Sequence, residues 1–236
     1  MTLASCDSRK TAGENPFFTE WDTPHGVPPF DKILPEHFMP AFERGMSLHE
    51  AEIDAITSNK DEATFENTIL AYDNAGQMLA QTELVFGMLC AAETNDRMQA
   101  LQEQAMPLLA AHRDKIRLDD KLFVRVKEVY DRRAALGLDA EQMRLLQKTY
   151  DSFVRAGALL DAEQKARLKE INGQLSLTAV KFGNNILAEN NNFVLELKSD
   201  ELDGLPAGIR DAAREKARQM GKGDKWVFTL HKPSLI

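Results

Sequence analysis

Apolar residues recur at steps of three and four through most of the chain, the spacing that lines one face of an α-helix. Pro35 suits a first helical turn, and Phe38, Ala41, Phe42, Met46, His49 and Ile53 follow it at that spacing. Thr64 is placed to cap a second helix, with Ile69, Tyr72, Leu79, Phe86 and Leu89 along one side. A third is expected from about Asn95 to Ile116, kinked or broken at Pro107, which lacks a backbone donor. Asp119 precedes a helix carrying Leu122, Val126 and Val129. Asp139 with Gln142 predicts a reciprocal cap ahead of the clearest period in the chain: Met143, Leu146, Tyr150, Phe153, Gly157, Leu160. Asp161 with Gln164 opens a sixth helix, whose stripe is Leu168, Ile171, Leu175, Phe182 and Ile186, and Asn190-Asn191-Asn192 ends it.

The period then changes from helical to alternating. Residues 193–197 and 226–230 read as short strands, separated by a charged helix from Pro206 to Met220 that Gly221 closes. The strands either pair with each other or join a sheet whose other members lie elsewhere. Ahead of all the helices, residues 15–34 hold Pro16, Pro24, Pro28 and Pro29, which predicts an extended arm. Its Phe17, Phe18, Trp21 and Phe30 are too apolar for a free linker, so the arm is expected to lie against a folded body. The fold class is therefore mainly α, with a short β element at about 193–197 and 225–230. The domain plan is a disordered leader or tether over 1–14, the arm over 15–34, and a helical region over 35–236. An apolar strand so close to Ile236, with no closing helix, leads to the expectation of a truncated reading frame.

Charge narrows the function classes. Twenty-nine basic against 37 acidic residues give a net charge of −8, which argues against nucleic acid as a partner, since that needs a cationic footprint. No apolar run approaches the roughly 18 residues that would span a bilayer. Two cysteines, Cys6 and Cys90, exclude a disulfide scaffold and a cysteine-based structural zinc site. Leu3-Ala4-Ser5-Cys6 resembles the end of a bacterial lipoprotein signal, in which the cysteine is lipidated, although no apolar stretch precedes it. Two readings follow: an envelope or periplasmic lipoprotein anchored through Cys6, or a chance match in a cytoplasmic protein.

Candidate chemistry is sparse. His49-Glu50-Ala51-Glu52-Ile53 approaches the zinc-protease pattern H-E-x-x-H, but Ile53 stands where the second histidine must be and has no ligand atom. His49 reads as a boundary residue of an amphipathic helix. His25, His37, His112 and His231 are scattered, and no two share helical spacing. There is no nucleophile elbow, phosphate loop or C-x-x-C. Cys90, within an apolar stretch, reads as a buried small hydrophobe. The residues present supply no catalytic residue and no metal ligand.

A resemblance adds what the residues alone do not carry. Residues 15–46, NPFFTEWDTPHGVPPFDKILPEHFMPAFERGM, resemble the start of bacterial peptidyl-dipeptidases of the thimet oligopeptidase-like zinc metallopeptidase family. The resemblance continues through Ala51–Ile56, Thr64–Ile69, Arg144–Ala158, Lys169–Asn172, Asp203–Pro206 and Lys232–Ser234. It implies a mostly helical, channelled fold of which this chain is about the first third. It also implies short peptides as substrates, C-terminal dipeptides as products, and one zinc ion held by an H-E-x-x-H helix in a later domain. No catalytic or metal-binding position of that pattern maps onto this chain, so the segment by itself is expected to be inactive. Two alternatives remain: an oligopeptidase of the same family cutting internally, or a stand-alone helical binding module derived from it.

Overall fold

The computed structural model describes residues 14–230. Cys6, His231 and Lys232–Ser234 lie outside the described residues, and with them the lipidation reading. The chain divides into two compact units, the first through Leu177 and the second from Thr178, the boundary falling inside one long helix.

In the first unit the arm carries short 3-10 turns at Pro16–Phe18 and Pro24–Gly26, and a third at Pro35–His37 leads into α1, Phe38–Ser58. The second expected helix is divided. Thr64 caps it reciprocally with Asn67, and Phe65–Leu70 forms one π-helical turn that passes into α2, Ala71–Asn74. The backbone then breaks at Ala75 and Gly76 before α3, Gln77–Ala92. Gly76 takes φ +74°, a left-handed conformation that a residue with Cβ adopts at a cost. α4, Asp96–Arg117, runs unbroken through Pro107, contrary to one of the two expected outcomes at that residue. Proline removes a single intrahelical donor, and Ala105 and Leu109 on either side are both 1% exposed, so packing holds the helix together. α5, Asp120–Asp131, and α6, Ala140–Arg155, are capped by Asp119 and Asp139 through their carboxylates. α6 ends before Gly157, which turns the chain at φ +97° toward α7, Ala162–Asn192.

Two apolar cores organise this unit. The first gathers Phe17 and Ile33 of the arm, Phe38, Ala41 and Phe42 of α1, Leu79, Val85 and Phe86 of α3, and Met98, Ala105 and Leu109 of α4. The second gathers Ile53 and Ile56 of α1, Phe65 and Ile69 of the π turn, Ile116 of α4, Leu122, Val126 and Val129 of α5, and Leu146 and Phe153 of α6. α1 and α4 therefore serve both cores. Phe17 packs edge-on or tilted against Trp21 and Phe38, so the arm's aromatic residues lie on the body of their own unit, whereas Phe30 stays exposed.

Buried cations fix the loops between these helices. The Arg125 guanidinium donates to the carbonyls of Asn59 and Asp61 at 3.0 and 3.2 Å and to Asn67 Oδ1 at 3.1 Å. That arrangement holds the connection from α1 to the π turn against α5. Lys165 at the start of α7, 7% exposed, pairs with Asp120 and donates to the Leu118 carbonyl.

The second unit holds the end of α7, β1 at Leu195–Leu197, α8 at Ala207–Gln219 and β2 at Trp226–Phe228. The strands pair antiparallel, with Leu195 opposite Phe228 and Leu197 opposite Trp226, so of the two arrangements open to them they take the direct one. Lys222 and Lys225 both donate to Glu196 on β1 and pull its carboxyl down to about 2. The α7 stripe is largely uncovered: Leu175 is 61% and Phe182 65% exposed, while Lys165 and Val180 are the buried residues of that helix. Helical spacing tells which residues share a face, but it cannot tell which face meets a neighbour.

Two outcomes test this packing. Phe153→Ala removes a side chain with no exposed surface from the second core and is expected to cost about 3–5 kcal/mol in urea unfolding. Gly157→Ala forces a left-handed alanine, and its Cβ would fall 2.7 Å from Leu168 Cδ2. A loss of roughly 1–3 kcal/mol is expected there, and an unchanged midpoint would contradict the turn geometry.

Candidate functional site

Each helix that serves both cores carries a histidine where it crosses between them. On α1, His49 lies between Phe42 of the first core and Ile53 of the second; on α4, His112 lies between Leu109 and Ile116. Their rings stand 5.0 Å apart at 59°, and His112 Nε2 lies 3.0 Å from His49 Nδ1. One nitrogen of that pair must donate and the other accept, so the hydrogen bond exists only while at least one ring is neutral.

Four further residues close the seam. Glu50 Oε2 pairs with Lys115 Nζ at 2.8 Å, and its Oε1 stands 3.5 Å from His112 Nδ1, at the outer edge of hydrogen-bond reach. His112 Nδ1 is buried without a well-formed hydrogen bond. Glu52 Oε2 accepts the Gly76 backbone N–H at 2.7 Å, tying the start of α3 to α1. A Cβ at Gly76 would meet the His49 ring at 2.9 Å, so the glycine supplies both the turn and the space for the imidazole.

Burial is the largest influence on both histidines and lowers both below the ordinary value of 6.5. The positive charge of a protonated His112 lowers His49 further, while Glu52 and Glu50 oppose the shift. At His112 the nearby Glu50 opposes it, and Lys115 adds to it. The hydrogen bond from Lys115 holds the Glu50 carboxyl below its ordinary range. At neutral pH the seam is thus a neutral imidazole pair beside a Glu–Lys ion pair. His112 is only 5% exposed, which closes it to a substrate.

Among the described residues, no group of three or more His, Cys, Asp or Glu side chains is arranged to hold a metal ion. Ile53, which occupies the position of the missing second histidine, is 3% exposed in the second core. His37 accepts the Leu34 N–H through Nδ1 at 3.0 Å and so shapes the start of α1, whereas His25 sits in the arm at φ +60°. Cys90 is half-buried rather than buried, and desolvation pushes its thiol up to about 11, far from a reactive thiolate. Spacing along the sequence missed the His49–His112 pair because the two residues are 63 positions apart. The available signal was a polar residue on the inward line of two separate helices.

An open groove of about 590 Å³ runs between the arm and α3, lined by Phe17, Phe18, Gln77, Met78, Gln81 and Leu84. It offers apolar surface and two side-chain amides but no acid or base. No helix of the described residues is long and apolar enough to cross a membrane.

The neutral histidine pair makes stability pH-dependent. A pKa lowered by folding means that the unfolded chain binds protons first, so the contribution is full above about pH 6.5 and is lost as pH falls below it. Glu50, also lowered, adds a further loss in the same direction below about pH 4.5. The melting temperature is expected to fall from about pH 7 to about pH 5, and less steeply in the His49→Asn/His112→Asn double variant. Equal slopes for the two proteins would remove the pair from this role.

No profile of a known protein family matches the chain. Among curated proteins it is 38% identical over 217 residues to dipeptidyl carboxypeptidase of Escherichia coli (strain K12), covering 92% of this chain and 32% of that protein. It is 24% identical to oligopeptidase A of the same organism, covering 91% of this chain and 32% of the relative. To a thimet-like oligopeptidase of Dictyostelium discoideum it is 22% identical, covering 85% and 29%. The chain spans about a third of the length of these relatives, and the match lies in their N-terminal third.

Proposed function

We propose, for a chain that belongs by this homology to the thimet oligopeptidase-like peptidases, that the full-length protein hydrolyses short peptides and releases dipeptides from their C-termini. The observation that carries the proposal is the 38% identity to a dipeptidyl carboxypeptidase across 92% of the chain, against 24% to an oligopeptidase A. The arm sequence Asp22–Phe30 and the Ala51–Ile56 segment support the same branch.

The role proposed for this segment is physical rather than chemical. Its helices form part of the wall of a substrate channel, which admits short unfolded peptides and excludes folded proteins by width. Zinc is proposed as the cofactor of the full-length protein. The described residues do not fit it, since none of them gather as a three-donor set, so no step of hydrolysis is assigned to a residue of this chain. The metal and its water-activating base are proposed for the part of the protein that the longer relatives have beyond the matched third.

The test is to express the full-length reading frame and incubate it with a tetrapeptide blocked at its N-terminus, following products by mass spectrometry. Release of the C-terminal dipeptide, abolished by a chelator and restored by zinc, is the expected result. Cleavage only at internal bonds of longer peptides would move the protein to the oligopeptidase branch, and no cleavage would refute the peptidase reading. Residues 1–236 alone are expected to show no hydrolysis in the same assay.

A further inference from the structure

Core sulfur in the first unit is confined to one of its two cores. Met98 is buried in the first core, and Met39, Met46, Met78, Met106 and Cys90 pack against it. The second core and the side chains packed on it include no methionine and no cysteine among the described residues. A thioether fits the irregular gaps beside Phe17, Phe38, Phe42 and Phe86 and gains from contact with aromatic rings. It is also a group that a two-electron oxidant converts into a polar sulfoxide.

Of these six sulfur residues, Met78 on α3 also lines the groove of about 590 Å³ between the arm and α3, together with Phe17 and Phe18. That groove is open, and its lining carries no charged side chain, so a small neutral oxidant meets no electrostatic barrier there. The same two phenylalanines hold the arm. Phe17 is 5% exposed in the first core, and Phe18 lies under the Arg44 guanidinium at 4.5 Å. Asn15 Nδ2 adds a hydrogen bond of 2.8 Å to the His37 carbonyl. Met78 is thus open to solvent from the groove and packed where the arm meets α3. Met98, by contrast, is 3% exposed, whereas Met88 and Met220 are exposed and pack on neither core.

We propose that Met78 is an oxidation site of this protein and that its sulfoxide loosens the arm from the first core. The oxidant is a hypohalous acid, and hypochlorous acid is the probe. The Met78 sulfur gives up two electrons and gains the oxygen atom; chlorine leaves as chloride, and the proton of the acid passes to water. Neither Phe17 nor Phe18 has a side-chain donor for the new oxygen, so the sulfoxide is satisfied only where water reaches it. Solvating it draws the Met78 side chain off the core and admits water beneath the arm. The change is reversible, because methionine sulfoxide reductases return the thioether. The inference is independent of the peptidase reading.

The test treats the full-length protein with hypochlorous acid at increasing molar ratio, quenches it with free methionine and maps added oxygen by peptide mass spectrometry. Each sample is then cut briefly with chymotrypsin, and cleavage after Phe17, Phe18 and Trp21 is read from the new N-termini of the large fragment. Met78 is expected to oxidise at doses that leave Met98 intact, with cleavage in the arm rising about 5- to 30-fold. Reduction with the two epimer-specific sulfoxide reductases is expected to restore the starting rate. Met78→Leu keeps the apolar volume without a sulfur, so the same dose should leave its arm protected. A Met78 that is still a thioether when Met98 has oxidised would overturn the proposal, as would an oxidised Met78 with unchanged cleavage. So would a rise that reduction does not reverse, or an equal rise in Met78→Leu, which would place the effect on another sulfur.

Discussion

The first unit depends on two helices that each belong to two cores. α1 buries Phe38, Ala41 and Phe42 on one side of His49 and Ile53 and Ile56 on the other, and α4 divides in the same way about His112. Neither helix can shift to improve its packing in one core without disturbing the other, because close-packed interiors transmit small displacements. The polar seam at the crossing is the consequence. A buried imidazole must be hydrogen-bonded, and here His112 bonds to the half-buried His49, which ties α4 to α1. Gly76 completes the constraint: its N–H holds Glu52 and its missing side chain leaves room for His49.

The loops are tied to the same framework by buried cations rather than by apolar contact. Arg125 satisfies two loop carbonyls and Asn67, and Asn67 in turn caps the π-helical turn with Thr64. Arginine suits this role because its planar fork presents several donors from one rigid group, which a lysine cannot do. The ordinary surface ion pairs, such as Arg97 with Glu36 at 62% and 49% side-chain exposure, contribute little by comparison.

The His49, His112, Glu50, Lys115, Glu52, Arg125 and Lys165 side chains tie elements of the fold to one another, and the groove beside α3 is lined by apolar side chains and two side-chain amides. The homology covers 92% of the chain, and among the described residues no side chains gather as a metal-binding cluster.

Local chemistry made much of the fold legible in the sequence. Helix caps at Thr64, Asp119, Asp139 and Asp161 act over three residues, and the alternation in the two strand segments acts over two, so both could be read directly. The family kinship was legible for the same reason, since it is written in ordered short motifs such as Asn15–Met46. Other features were decided only by tertiary structure. Packing kept α4 whole across Pro107, and the left-handed turn at Gly76 split the second helix where periodicity ran on without a break. The histidine pair joins residues 63 positions apart, and no local pattern encodes a contact of that range. Whether the apolar stripe of α7 is covered was equally beyond the sequence: periodicity aligns side chains on a face, but burial requires a neighbour, and only the assembled fold supplies one.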